Sequence, residues 1–152
     1  MGSSCYRATN MGQSIVEQAG VFAVRRKSGI WKMLAVRSRS GKRWVIPKGI
    51  VESGFTRETT AVREAFEEGG IKGRLLSEPA GEYTYRKWGD NCRVTVYLFL
   101  IEKILKTWPE DRMRKRKWME FGELEKNIDE RIPRRLLSGI PDLMKTRGVE
   151  NG

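Results

Sequence analysis

The stretch Arg93-Val-Thr-Val-Tyr-Leu-Phe-Leu-Ile101 constrains the fold more than any other part of the sequence. It is built from β-branched, aromatic and aliphatic residues, and from Val94 on it is apolar on both alternating sets of positions. Successive side chains of a strand point to opposite faces, so both faces of this strand have to be covered. That describes a central strand in a sheet with layers packed on either side.

The rest of the chain supplies such layers. Ala19–Arg26 and Trp31–Ser38 read as two short strands joined by a hairpin at Lys27-Ser-Gly-Ile30. Arg43-Trp-Val-Ile-Pro47 adds a brief strand that stops at its proline. A helix is expected from Thr56, which can cap it, to Gly69-Gly70, which can end it. Ile71 to Lys87 reads as one or two strands broken near Pro79–Gly81, with a turn at Trp88-Gly-Asp-Asn91 before the central strand. Lys117–Phe121 reads as a last short strand, and Gly122 to Arg147 carries helical spacing with Pro133 at a helix start. Strands interrupted by one helix and closed by helices give an α/β class, a mixed sheet covered by helices.

The length of 152 residues suits one domain. The expected limits are a flexible N-terminal tail over 1–18, a domain over 19–146 and a C-terminal tail over 147–152. The sequence shows no apolar run of about eighteen residues and no signal-type segment, so a cytoplasmic protein without a membrane span is expected. Two cysteines, Cys5 and Cys92, do not make a disulfide scaffold and suggest a reducing compartment. The absence of histidine excludes histidine-based triads and His-ligated zinc sites, leaving acid–base work to carboxylates, lysine, tyrosine or bound water. A net charge of +11 points to an anionic partner, whether nucleic acid, a phosphorylated small molecule or an anionic membrane surface, and charge alone does not choose among them.

Against that charge stands Arg63-Glu-Ala-Phe-Glu-Glu-Gly-Gly70, with three glutamates in five residues. Like charges three and four apart on a helix repel. On a helical period Ala61, Val62, Ala65 and Phe66 share the side expected to pack on the sheet. Glu64, Glu67 and Glu68 are expected to face outward together. A solvated acidic face is the plain reading, and a shared divalent cation with hard oxygen ligands is the functional one.

The flanks extend the pattern. Gly49, Arg63, Glu64, Ala65, Glu67, Glu68, Gly70 and Ile71 fall on the fixed positions of the Nudix box, Gly-x5-Glu-x7-Arg-Glu-U-x-Glu-Glu-x-Gly-U with U apolar, and Gly49–Ile71 resembles it throughout. One position departs, for Phe55 stands where the pattern has its first glutamate, with Glu52 and Glu58 nearby. The resemblance implies a Nudix fold, an α/β/α sandwich with a loop-helix-loop catalytic motif. It implies a hydrolase acting on phosphoanhydrides, with Mg²⁺ or Mn²⁺ on Glu64, Glu67, Glu68 and the Gly49 carbonyl. Glu67 or Glu68 would act as base, and Arg63 would orient the carboxylates. Trp44-Val-Ile-Pro-Lys-Gly49 and the segment Trp108-Pro-Glu110 through Trp118 are similar to the diphosphoinositol polyphosphate phosphohydrolase branch, which also cleaves diadenosine polyphosphates. Arg37, Arg39, Arg43, Lys48, Arg86, Lys87, Arg93, Arg114 and Arg116 are the candidates for gripping such a polyphosphate, Arg114 and Arg116 foremost. Tyr83, Tyr85 and Trp88 are candidates for stacking on a base. The alternatives are a nucleotide-sanitising or RNA-cap-type pyrophosphohydrolase and, in another class, a non-hydrolytic RNA-binding or sensor module.

Overall fold

A computed structural model describes residues 7–10 and 13–149, with residues 7–10 and 13 as backbone alone. Cys5 and the outer parts of the expected tails, 1–6, 11–12 and 150–152, lie outside the described residues. The strands are β1 (Arg7–Asn10), β2 (Gln13–Lys27), β3 (Ile30–Arg37), β4 (Trp44–Val45), β5 (Lys48–Ile50), β6 (Ile71–Leu75), β7 (Gly81–Lys87), β8 (Asp90–Ile104) and β9 (Arg116–Glu120). The helices are α1 (Arg57–Gly69), α2 (Leu124–Asn127), α3 (Arg134–Ser138) and α4 (Ile140–Thr146). The expected tail over 1–18 is corrected where it is described. Residues 7–10 form β1, and β2 starts at Gln13, because Ile15-Val16-Glu17-Gln18 pairs with Asn91–Val94 of β8. The C-terminal segment is also tied down: Arg147 donates to the carbonyls of Leu76, Glu78 and Pro79, and Val149 is buried.

β8 is central, as its two apolar faces require. It pairs in parallel with β2 over Ile15–Val24 against Asn91–Leu100, and antiparallel with β6 and β7. The β2–β3 hairpin turns at Ser28 and Gly29, both at positive φ. β3 carries β4 and β9, and β5 pairs back onto β2. The result is one mixed sheet with an apolar core on each face. On one side Ala19, Val21, Leu34, Tyr97 and Phe99 pack against Ala61 and Ala65 of α1. On the other Phe22, Met33, Val96 and Leu98 pack against Leu124, Leu137, Ile140 and Met144 of the C-terminal helices and Ile132 between them. Both cores obey the alternation of β2 and β8. Among the described residues no helix is long and apolar enough to cross a membrane.

Charged side chains also lie inside this frame, and one of them ties the sheet to the helix. Glu17 is fully buried on the α1 side of β2, where Arg93, its register partner on β8, donates to both carboxylate oxygens. Arg57, the first residue of α1, stands 3.6 Å away. The cluster therefore pins the start of α1 to the β2–β8 seam. Breaking a buried pair leaves a charge in a poor environment, at a cost of several kcal/mol. Arg57 remains to soften the loss, so Arg93→Met should destabilise the fold by about 2 kcal/mol in urea denaturation.

Candidate active site

The site is assembled at α1 and the loop before it. Thr56 caps the helix reciprocally with Thr59, each side chain taking the other's backbone N–H. Gly70 closes it at φ 64, a left-handed position, and a Cβ there would stand 2.5 Å from the Trp108 ring. Which side of α1 faces the sheet differs from the expectation. Ala61 and Ala65 are buried as expected, but Val62 is exposed and Glu64 and Glu68 are buried with them. The reason lies in β5, whose glycine leaves no side chain between the helix and the sheet. A Cβ on Gly49 would stand 2.4 Å from the carboxyl carbon of Glu64.

Glu64 and Glu68 stand one turn apart on the buried side of α1, Glu64 directly against Gly49. Burial and the neighbouring Glu68 push Glu64 up to about 8. Burial also raises Glu68, although Arg114 and the Lys48 amide oppose the rise. Glu68 accepts from the Lys48 backbone N–H at 3.2 Å and from Arg114 at 3.3 Å. Glu67 is half-buried and its charge adds to the rise at Glu64, and among the described residues no three acidic side chains converge on a single point. Its carbonyl accepts from the Glu110 N–H, and the Glu68 carbonyl accepts from the Trp108 indole at 3.0 Å.

Arg63 lies between the pair and the preceding loop. Its guanidinium sits over the Phe55 ring at 4.6 Å, with Glu52 at 3.6 Å and Glu64 at 4.0 Å. Two shallow cavities of about 290 and 330 Å³ flank the N-terminal half of α1, and neither includes the acid pair.

The expected clamp residues scatter. Arg114 is buried and commits its guanidinium to Glu68, Glu110 and the Arg37 carbonyl. Arg116 stacks on Trp108 at 3.9 Å and donates to the carbonyls of Gly69, Gly70 and Leu105. The two foremost clamp candidates are thus corrected to internal ties, which fasten the 105–116 segment to the end of α1. Lys48 turns its ammonium to the Tyr85 hydroxyl, which in turn donates to Gln18, so it too leaves the acid pair. Arg93 is held by Glu17, and Arg86 spans the β7–β8 turn to Gly89 and Asn91. Lys87 lies over Trp88, which is 90% exposed, while Tyr83 and Tyr85 are buried. Arg39 and Arg43 are exposed on the β3–β4 turn, and Arg37 stacks on Trp44. That turn is joined to the acid pair through Arg37, Arg114 and Glu68.

Sequence reasoning missed Glu17, Glu110 and the helix-closing part played by Trp108. A lone glutamate inside the apolar run of β2 was the available sign for the first. The part of Trp108 depends on a contact forty residues distant in the chain, which no local pattern carries, whereas Glu110 meets Arg114 four residues on.

Two buried carboxylates pressed together need either a shared proton or a positive charge between them, and their oxygens could serve a hard cation.

The NUDIX domain family matches residues 15–138. Nudix hydrolase 16, mitochondrial, of Arabidopsis thaliana is 32% identical over 100 residues, 60% of this chain and 55% of that protein. Diphosphoinositol polyphosphate phosphohydrolase 3-beta of Bos taurus is 35% identical over 94 residues, 60% of this chain and 56% of that protein. The chain thus spans about half the length of the curated relatives it matches. Among solved structures, a C. elegans Ap4A hydrolase binary complex superimposes with a TM-score of 0.73 at 23% identity, over 86% of this chain and 98% of that one. A MutT protein from Methanosarcina mazei Go1 gives 0.68 at 16% identity, over 90% and 99%. These likenesses establish the fold, and the match over residues 15–138 places the chain in the NUDIX domain family.

Proposed function

We propose that this chain is a divalent-metal-dependent hydrolase of phosphoanhydride bonds in highly phosphorylated small molecules, diphosphoinositol or diadenosine polyphosphates. The observation that carries the reading is the buried Glu64–Glu68 pair against Gly49. Glu64, Glu68 and the Gly49 carbonyl would hold Mg²⁺ or Mn²⁺, with Glu67 contributing from beside them. A divalent ion held there by these residues would supply Lewis-acid chemistry for water attack on a phosphoanhydride. Arg63 offsets charge on Glu64, and Arg114 keeps Glu68 in one orientation from behind. A helix glutamate, Glu67 or Glu68, takes the proton from the attacking water. The substrate class is supported by the bovine relative's name and by the exposed Arg39 and Arg43 on a turn joined to the acid pair.

Glu68→Gln should lower Mg²⁺-dependent phosphate release at least about a hundredfold. It should leave any RNA affinity unchanged, so retained turnover would remove Glu68 from the mechanism.

Replacing Arg39 and Arg43 together by Ala should raise KM for diphosphoinositol or diadenosine polyphosphates more than for nucleoside triphosphates. An equal rise for both would count against a polyphosphate-gripping turn.

A carboxyl pushed up to about 8 holds a proton in the folded chain that the unfolded chain has released above its ordinary value of 4.5. Without added metal the unfolding free energy should therefore fall as pH rises between those two values. Saturating Mg²⁺ should remove that slope, as read by urea denaturation across pH.

A further inference from the structure

We propose that Phe55 is a positioning residue, the face of its ring carrying the Arg63 guanidinium and holding it against Glu64. This role rests on the reading of Glu64 as a metal-holding carboxylate. Phe55 occupies the box position where the family pattern has a glutamate, so an uncharged ring stands against Arg63 where the pattern has a carboxylate.

The geometry supplies a substitute. The centre of the guanidinium lies 4.6 Å from the ring centroid, well inside the range for a cation over an aromatic face. Its two carboxylate neighbours, Glu52 at 3.6 Å and Glu64 at 4.0 Å, stand beyond hydrogen-bond distance. The Arg63 Nε is buried and makes no hydrogen bond among the described residues. The ring is therefore the close platform under this side chain.

The platform is itself fixed. Phe55 donates its N–H to the Glu52 carbonyl at 3.0 Å across a turn with Gly54 at φ 88. It directly precedes Thr56, the capping residue of α1, so the same bonds that start the helix set the ring. An uncharged platform has a consequence that a glutamate would not. The positive charge of Arg63 is not neutralised by the residue beneath it and stays available to Glu64. No further negative charge is added beside a pair that already repels.

The test uses the whole chain. Phe55 is 48% exposed, so substitution there leaves the cores intact. Phe55→Leu keeps an apolar side chain without a π face, and Phe55→Tyr keeps the face. Mn²⁺ affinity, followed by the resonance of free Mn²⁺, should fall about threefold in the Leu variant and hold in the Tyr variant. Thermal midpoints should be unchanged in both. In an Arg63→Gln background the Leu substitution should have no further effect. The ring-current shift of the Arg63 Nε–H in nitrogen-resolved NMR of the metal-free protein should disappear with Leu and remain with Tyr. Wild-type affinity in the Leu variant, or a threefold loss that persists without Arg63, overturns the role. Failure of the wild type to take up Mn²⁺ overturns the acid-pair reading and this role with it. Uptake that the Leu variant leaves unchanged overturns this role alone.

Discussion

Two carboxylates one helical turn apart, both taken out of water, are the constraint around which the rest of the molecule is arranged. Left alone they would hold a proton between them or move apart. The fold prevents the second outcome. Gly49 removes the side chain that would keep Glu64 off the sheet, and the Lys48 amide and Arg114 clasp Glu68 from two directions. Behind them the Trp108 indole and the Arg116 guanidinium occupy the last carbonyls of α1. Those carbonyls would otherwise lack partners within the helix. Each contact reduces the freedom of α1 to slide or fray at the end where the acid pair sits.

The segment from Leu105 to Arg116 gains a different meaning from this. Its density of arginine reads in sequence as a surface for anions, because charge is the only property a local pattern displays. In the structure Arg114 and Arg116 spend that charge on one carboxylate pair and on helix-end carbonyls. Arginine suits this use because its planar fork serves several acceptors at once and keeps its charge. Arg39 and Arg43 of the β3–β4 turn stay exposed, and no helix end requires them.

The architecture was more legible than the site. The two-faced apolar run of β8, the Thr56 cap, the Gly70 stop and the β2–β3 turn each have a local cause, and each is found where the sequence puts it. The orientation of α1 was not legible. A helical wheel assigns charged residues to water, and it has no means of seeing that the facing strand carries a glycine. Val62 is outside and Glu64 inside for that reason. The early part of β2 was missed in the same way. Its Glu17 looks like a surface residue until Arg93, on a strand far along the chain, is brought opposite.

That seam has a kinetic side as well. Glu17 and Arg93 are separated by 76 positions, and the strands that carry them run in the same direction, so no hairpin can join them. Closing so long a loop costs chain entropy before any contact offsets it. The helix with its acid pair and the five strands β3 to β7 all lie within the interval. They can form local turns early, but the sheet that orients them exists only once its two longest members have met. The slow event in the birth of this protein is therefore the meeting of β2 with β8.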